Sequence, residues 1–481
     1  MSSSLPSSGP IPLPEPWKVK VVEPILLPSR EEREAHLRAC GYNVFHLPAE
    51  AVFIDLLTDS GTSAQSDRQW SGLVAGDEAY AGGRCWYAFE ATVQEIFGLP
   101  HVIPVHQGRA GERLLFSEMV SPGDLVPNNR HFDTTRANLE ILLAEAVDLP
   151  SPASGEPGVE HPFKGNLDLE RLETLLKEAT PRQVPLVLLT LTDNAGGGQP
   201  VSLANVRAVG EICRRFGVPF WIDACRFAEN AFFIREREPG QQGRSIPEIV
   251  ADLFAEVDGC LMSAKKDGLA NIGGFLACRD GRLAERLREA LVVTEGFPTY
   301  GGLAGRDLAA VAVGLREVLD LRYLEFRIRQ VEWLGQRLLE AGIPIVRPSG
   351  GHAVYIDAAA LLPHILPERF PGQALAVELY RHGGVRGVEI GSVMFGRSDP
   401  ETGGFVPAEH ELVRLAVPRR VYSHSQLGYV VDVLAHIRSR ADQIQGLRFV
   451  HEPDVLRHFN ARFEEVRVEA VVPAAAATAA S

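Results

Sequence analysis

An α/β fold, in which helices cover both faces of a largely parallel sheet and a smaller α+β part follows, is what three features of this sequence predict. From about residue 52 to 300, apolar segments alternate with amphipathic ones, the pattern of strands buried between two helical layers. Within that stretch one β-α-β unit is legible: an apolar run at 184–192, a helix opened by Ser202 with Val206, Val209, Cys213 and Phe216 on one side, a stop at Gly217, and a second run at 218–222. Beyond it, residues 307–342 keep helical periodicity for longer than an average helix, so they read as one long helix or a broken pair leading into the second part.

Taken in order, residues 1–16 are Ser/Pro-rich and read as a flexible arm without the basic and apolar regions of a signal peptide. Ser29-Arg30-Glu31-Glu32 is a capping box, and Gly41 closes the helix it opens. Residues 17–56 are assigned to the small domain, 57–310 to the large α/β domain, and 311–466 to the small domain again. The last segment contains a strand at 353–356 and a helix at 426–437; residues 467–481 are a low-complexity tail.

A formal charge of −14 argues against a nucleic-acid partner, which would require a basic face. No apolar run is long enough to span a bilayer. The six cysteines, Cys40, Cys85, Cys213, Cys225, Cys260 and Cys278, are scattered without a C-x-x-C pair, which suggests neither a zinc site nor a disulfide framework. A soluble protein of a reducing cytoplasm is the expectation.

Chemistry concentrates at residues 261–274, where Lys265 and Lys266 follow a short apolar run and precede an Ile-Gly-Gly turn. A lysine becomes nucleophilic when burial or a neighbouring cation lowers its pKa, and Lys265 can be that cation for Lys266. Asp223 ends one predicted strand, Arg226 follows it, and Asn194 ends the strand before, at the edge where open α/β sheets place their ligands. Pyridoxal phosphate needs an anion at its ring nitrogen, donors at its phenolic oxygen, a lysine for its aldehyde and a phosphate cradle. Asp223, then Asn194 with Arg226, then Lys266, meet the first three needs. Residues 106–109, with Gly108 and Arg109, together with Ser263 and Lys265 meet the last.

The segment 263–274 resembles the cofactor-lysine motif of the pyridoxal-phosphate β-eliminating lyases, the family of tryptophanases and tyrosine phenol-lyases. The resemblance recurs at 55–62, 76–82, 198–202, 226–231, 295–298, 300–302, 350–353 and 414–422, covering roughly residues 17–466. It departs from the family pattern at Gly196, at Cys225 and in a longer tail, departures that leave the implied cofactor roles intact. It implies the aspartate-aminotransferase-like fold (fold type I) and a homotetramer with sites shared between subunits. It also implies Lys266 as the Schiff-base lysine, Asp223 at the ring nitrogen, Asn194 and Arg226 at the phenolic oxygen, and Phe132 stacked on the ring. Gln107, Gly108, Arg109, Ser263 and Lys265 would hold the phosphate, with Tyr80 entering from a neighbouring subunit. Arg414 would clamp the carboxylate of an amino-acid substrate, with Thr58 and Ser60 in the substrate loop. A monovalent cation, potassium, would be held by Glu78 and the carbonyls of Gly61 and Asn271.

The resemblance further implies β-elimination of L-tryptophan to indole, pyruvate and ammonia. Phenol-specific members carry Thr, Arg and Phe where this chain has Asp133, Ile390 and His458. An apolar Ile390 suits an indole face, Asp133 can accept the indole N–H or assist proton transfer at the ring carbon, and His458 can orient Asp133 or a water. The alternatives are an enzyme acting on tyrosine or cysteine-type amino acids, and a non-catalytic cofactor-binding homologue.

Overall fold

The computed structural model describes residues 14–179, 183–399, 401–453 and 455–466; most of the N-terminal arm and the whole tail lie outside them. The Ser29 capping box forms as its spacing requires. The Ser29 hydroxyl accepts from the Glu32 N–H, the Glu32 carboxylate accepts from the Ser29 N–H at 2.7 Å, and Arg30–Ala39 is helical. Gly41, with φ +62°, ends it.

The central sheet has five strands in the order His101–Val105, Gly274–Cys278, Gly259–Ser263, Phe220–Asp223, Val187–Thr190. Gly274–Cys278 is antiparallel to both neighbours and the other pairings are parallel, so four strands share one direction and their C-terminal ends share one edge. Every residue of Gly259–Ser263, Gly274–Cys278 and Val187–Thr190 is buried, as strands covered on both faces must be. The predicted β-α-β unit is present with shortened strands. Ser202 caps the helix Leu203–Phe216, and Gly217 takes the left-handed conformation after it. A parallel pair, Leu125–Asn128 with Glu145–Asp148, is joined to the sheet by the Asn129 side chain. That side chain donates to the Thr190 carbonyl at 3.0 Å and accepts from its N–H at 2.9 Å.

The long helical stretch is a broken pair, Gly305–Glu317 and Leu321–Glu340, because Asp320 caps the second helix through the N–H groups of Arg322 and Tyr323. That second helix crosses between two hydrophobic cores. Leu324 and Ile328 pack with Phe97, Phe227, Phe254 and Phe275, whereas Val331, Leu334 and Leu338 pack with Leu37, Val354, Leu379, Leu434 and Phe463. The second core thus draws on both ends of the described chain. Beside it, Ala353–Asp357, Leu412–Ala416 and Val388–Ile390 form an antiparallel sheet in which Arg414 lies opposite Tyr355 and Val388. The helix predicted at 426–437 runs from His424 to Arg438.

Candidate active site

The shared strand edge gathers the predicted residues. Gln107 and Gly108 follow His101–Val105, Asn194 follows Val187–Thr190, Asp223 ends Phe220–Asp223 in register with Thr190 and Leu261, and Lys265 and Lys266 follow Ser263. Gly108 begins the helix Gly108–Met119, and no side chain caps its N-terminus. The first N–H groups of that helix are therefore open to an anion. A Cβ on Gly108 would stand 2.7 Å from the Ser263 Cβ, so only glycine lets this helix end close on the lysine loop. Lys265 is half-buried, and burial, with the charges of Lys266 and Arg109, lowers its pKa. A cationic corner of this kind fits a phosphate, and with Asp223 and Lys266 on the same edge the residues fit pyridoxal phosphate.

Arg226 is committed in part to a partner that sequence reasoning did not single out. Its Nε and Nη2 donate to both oxygens of Asp59 at 3.0 and 2.7 Å. Asp59, between Thr58 and Ser60, begins a fully buried charge network. Arg419 donates to Asp59, Glu229 and Asp267 at 2.9, 2.8 and 2.9 Å, and Arg327 donates to Glu229 at 3.0 Å. Burial opposes ionisation of Asp59, but the Arg226 and Arg419 guanidinium groups hold its pKa well below the carboxylate range. Burial and the Glu229 carboxylate push Asp267 up to about 7 despite Arg419. The signal available in the sequence was the density of charges flanking the named motifs, Asp59 in 55–62, Glu229 in 226–231, Asp267 beside Lys266 and Arg419 in 414–422.

Arg414 donates through Nη1 to Asn194 Oδ1 at 2.9 Å and through Nη2 to the Leu57 carbonyl at 3.0 Å, and its buried Nε has no hydrogen-bond partner among the described residues. The proposed carboxylate clamp, the proposed phenolic-oxygen donor and the 58–60 loop are thereby contiguous. Phe132 is half-buried and precedes the helix Asp133–Ile141. Asp133 Oδ2 lies 2.9 Å from His458 Nε2 with both side chains buried, within ion-pair distance but, among the described residues, without hydrogen-bond geometry at either ring nitrogen. Asp133 is not a helix cap. It occupies the first helical position, and its Oδ1 accepts from the Thr134 N–H at 2.5 Å. The His458 ring packs edge-on to Phe45 at 5.9 Å, and Phe45 borders the apolar cluster of Ile390, Val388 and Tyr355. Glu112, also missed, is buried beside Thr135, from whose hydroxyl it accepts at 2.6 Å; burial raises its pKa, and Asp223 and Asp133 add to the rise.

Two predicted groups lie apart from this set within one chain. Tyr80 is 72% exposed, with its ring edge-on to Tyr300 at 5.4 Å and tilted against Phe297 at 5.8 Å. Glu78 is exposed and pairs with Arg306 at 3.3 Å, while Gly61 and Asn271 do meet, the Asn271 amide donating to the Gly61 carbonyl at 3.0 Å. Among the described residues no cluster of three or more acidic, His or Cys side chains could hold a metal. All six cysteines are free and buried, and burial pushes Cys225 up to about 12.

The family model described as beta-eliminating lyase matches residues 55–432. The tryptophanase of Salinibacter ruber is 55% identical over 457 residues, covering 95% of this chain and 96% of that protein. The tryptophanase of Rhodobacter capsulatus is 55% identical over 452 residues, covering 94% and 99%. The tyrosine phenol-lyase of Intrasporangium calvum is 51% identical over 458 residues, covering 95% and 96%. Among solved structures, Leishmania major threonine aldolase superposes with a TM-score of 0.56 at 14% identity over 80% of this chain and 99% of that one. Serine palmitoyltransferase of S. paucimobilis does so with a TM-score of 0.55 at 14% identity over 81% and 88%. These two share the fold.

Proposed function

The chain belongs to the β-eliminating lyase family and is a pyridoxal-phosphate-dependent carbon–carbon lyase; within that family we propose that its substrate is L-tryptophan, cleaved with water to indole, pyruvate and ammonia. The observation that carries the choice of substrate is the buried Asp133–His458 contact at 2.9 Å beside the apolar cluster of Ile390. A phenol leaving group calls for a cation near its oxygen, whereas indole offers an N–H and a wide apolar face. The aromatic side of this site presents a carboxylate, an imidazole and Ile390.

When bound, pyridoxal phosphate supplies an aldehyde that captures the substrate amine and a ring that accepts electrons. Asp223 would lie at the ring nitrogen and favour its protonated form. The Arg414 fork holds the substrate carboxylate, a geometry suited to bidentate pairing. Lys266 would take the proton from Cα, and Asp133, with His458 beside it at 2.9 Å, would serve the proton needed at the indole ring carbon before that ring departs. Gln107, Gly108, Arg109, Ser263 and Lys265 would hold the phosphate, Phe132 would cover the ring, and Thr58 and Ser60 would border the substrate.

The exposed Tyr80 is read as completing the site of a neighbouring subunit in a homotetramer, and Glu78 as joining the Gly61 and Asn271 carbonyls around potassium there. Among the described residues no helix is long and apolar enough to cross a membrane, which accords with a cytoplasmic enzyme. Incubating the holoenzyme with L-tryptophan and, separately, with L-tyrosine, and measuring indole, phenol and pyruvate, tests the proposal. Indole release should have the higher kcat/KM; faster release of phenol would refute it.

A further inference from the structure

Asn194 is held on more sides than a strand-end loop requires. Its Oδ1 accepts from Arg414 Nη1 at 2.9 Å, and because a guanidinium only donates, that atom must be the oxygen and not the nitrogen of the amide. His352 Nε2 lies 2.9 Å from the same oxygen. Burial, with Arg226, Arg414 and Arg327 against Asp59, keeps His352 well below the usual imidazole range, so the ring is neutral. Its proton then sits on Nε2, and the two lone pairs of Oδ1 are used. Tyr355, 1% exposed and opposite Arg414 in the sheet, donates its hydroxyl to the Asn194 main-chain carbonyl at 2.7 Å, with the same oxygen 3.0 Å from Oδ1 and 3.2 Å from His352 Nε2. Among the described residues, Asn194 Nδ2 makes no hydrogen bond. Gly198 is the close approach that permits this packing: a Cβ there would stand 3.1 Å from His352 Cε1.

We propose that Tyr355 is a positioning residue whose hydroxyl anchors the main chain of Asn194, so that Arg414 and His352 consume the amide oxygen and the NH2 group is left to donate to the phenolic oxygen of the cofactor. The inference rests on the reading that puts Asn194 at that oxygen. It makes one small-domain strand, carrying Tyr355 beside Arg414, responsible for aligning a donor on the large sheet. The substrate-carboxylate arginine then donates to the amide oxygen of the same side chain whose NH2 group serves the cofactor oxygen.

Donation from Asn194 stabilises the deprotonated phenolic oxygen. Weakening it makes that oxygen hold its proton to higher pH. The test is a pH titration of the visible absorbance of the holoenzyme, a readout independent of turnover. Tyr355→Phe removes one oxygen and leaves the ring packing. It should raise the midpoint by about half a unit to one unit. Asn194→Ala should raise it at least as far, and the double variant should match Asn194→Ala alone. A shift with Asn194→Ala but none with Tyr355→Phe overturns the positioning role, as do additive shifts in the double variant. No shift with either variant overturns the placement of Asn194 at the phenolic oxygen and the inference with it.

Discussion

Arg419→Met tests the buried charge network that ties the substrate loop to the lysine loop. Arg419 is fully buried and donates to three carboxylates. Without it, Asp59 keeps Arg226 and Glu229 keeps Arg327, but Asp267 keeps only the N–H groups of Ala228 and Glu229, at 2.8 and 3.2 Å. Removing one partner of a buried pair costs about 3–5 kcal/mol, because the other charge stays buried. At about 2–4 °C per kcal/mol for domains of this size, Tm should fall by about 6 to 20 °C. The loss has a sign in pH. In the parent, Asp267 already titrates in the folded state at about 7, above its unfolded value, so its contribution is complete below the unfolded pKa and is lost as pH rises through 7. The variant pushes that pKa higher still, and the folded chain goes on losing stability with pH after the parent has levelled off. Thermal unfolding of the cofactor-free protein should show a gap between parent and variant that widens from about pH 6 to about pH 9. A gap independent of pH, or a Tm within about 2 °C of the parent, would refute the account of the network.

Lys266→Ala should abolish the borohydride-reducible link between chain and cofactor, whereas Lys265→Ala should keep the link and release cofactor more readily on dialysis; a reducible link in Lys266→Ala would show that the two lysines have been assigned the wrong way round. Activity should require potassium or ammonium and fall in sodium or lithium, and Glu78→Gln should blunt the preference; equal rates in all four salts contradict a cation site. Glu389 and Glu411 form a buried pair outside the site, Glu411 accepting from the Ser392 hydroxyl and pushed up to about 7 by burial. Both folded pKa values are raised, so their contribution to stability is lost as pH rises from the unfolded value through 7. Glu411→Gln should flatten the melting temperature across that interval, and an unchanged slope would show that the pair does not titrate there.

The cofactor edge was legible because its residues sit at strand ends, where apolar runs stop and polar residues begin, as Asp223 and Lys266 do. The capping boxes and the Ser202 helix were legible for a similar reason: their chemistry is local. What was not legible depends on chain crossings. Nothing in the spacing of Asp59, Glu229, Asp267, Arg327 and Arg419 indicates that they converge, because each reads singly as an ordinary charge until the fold buries it. Tyr355 shows the same limit: in sequence it is one apolar-facing position of a short strand, and only the antiparallel register with Arg414 brings it to Asn194. The break at Asp320 was left open because helical periodicity continues through it, whereas the cap that ends it is a single side chain.

The central claim, that Asp133 acts on the leaving indole, is tested most directly by turnover of two substrates with Asp133→Ala. The variant should fold and retain cofactor. Losing a group that transfers a proton costs about 10²–10⁴-fold in rate, and that loss should fall on L-tryptophan. An S-alkyl cysteine, whose thiolate leaves without help, should be turned over near the parent rate. Comparable losses on both substrates, or L-tryptophan turnover close to that of the parent, would contradict the claim.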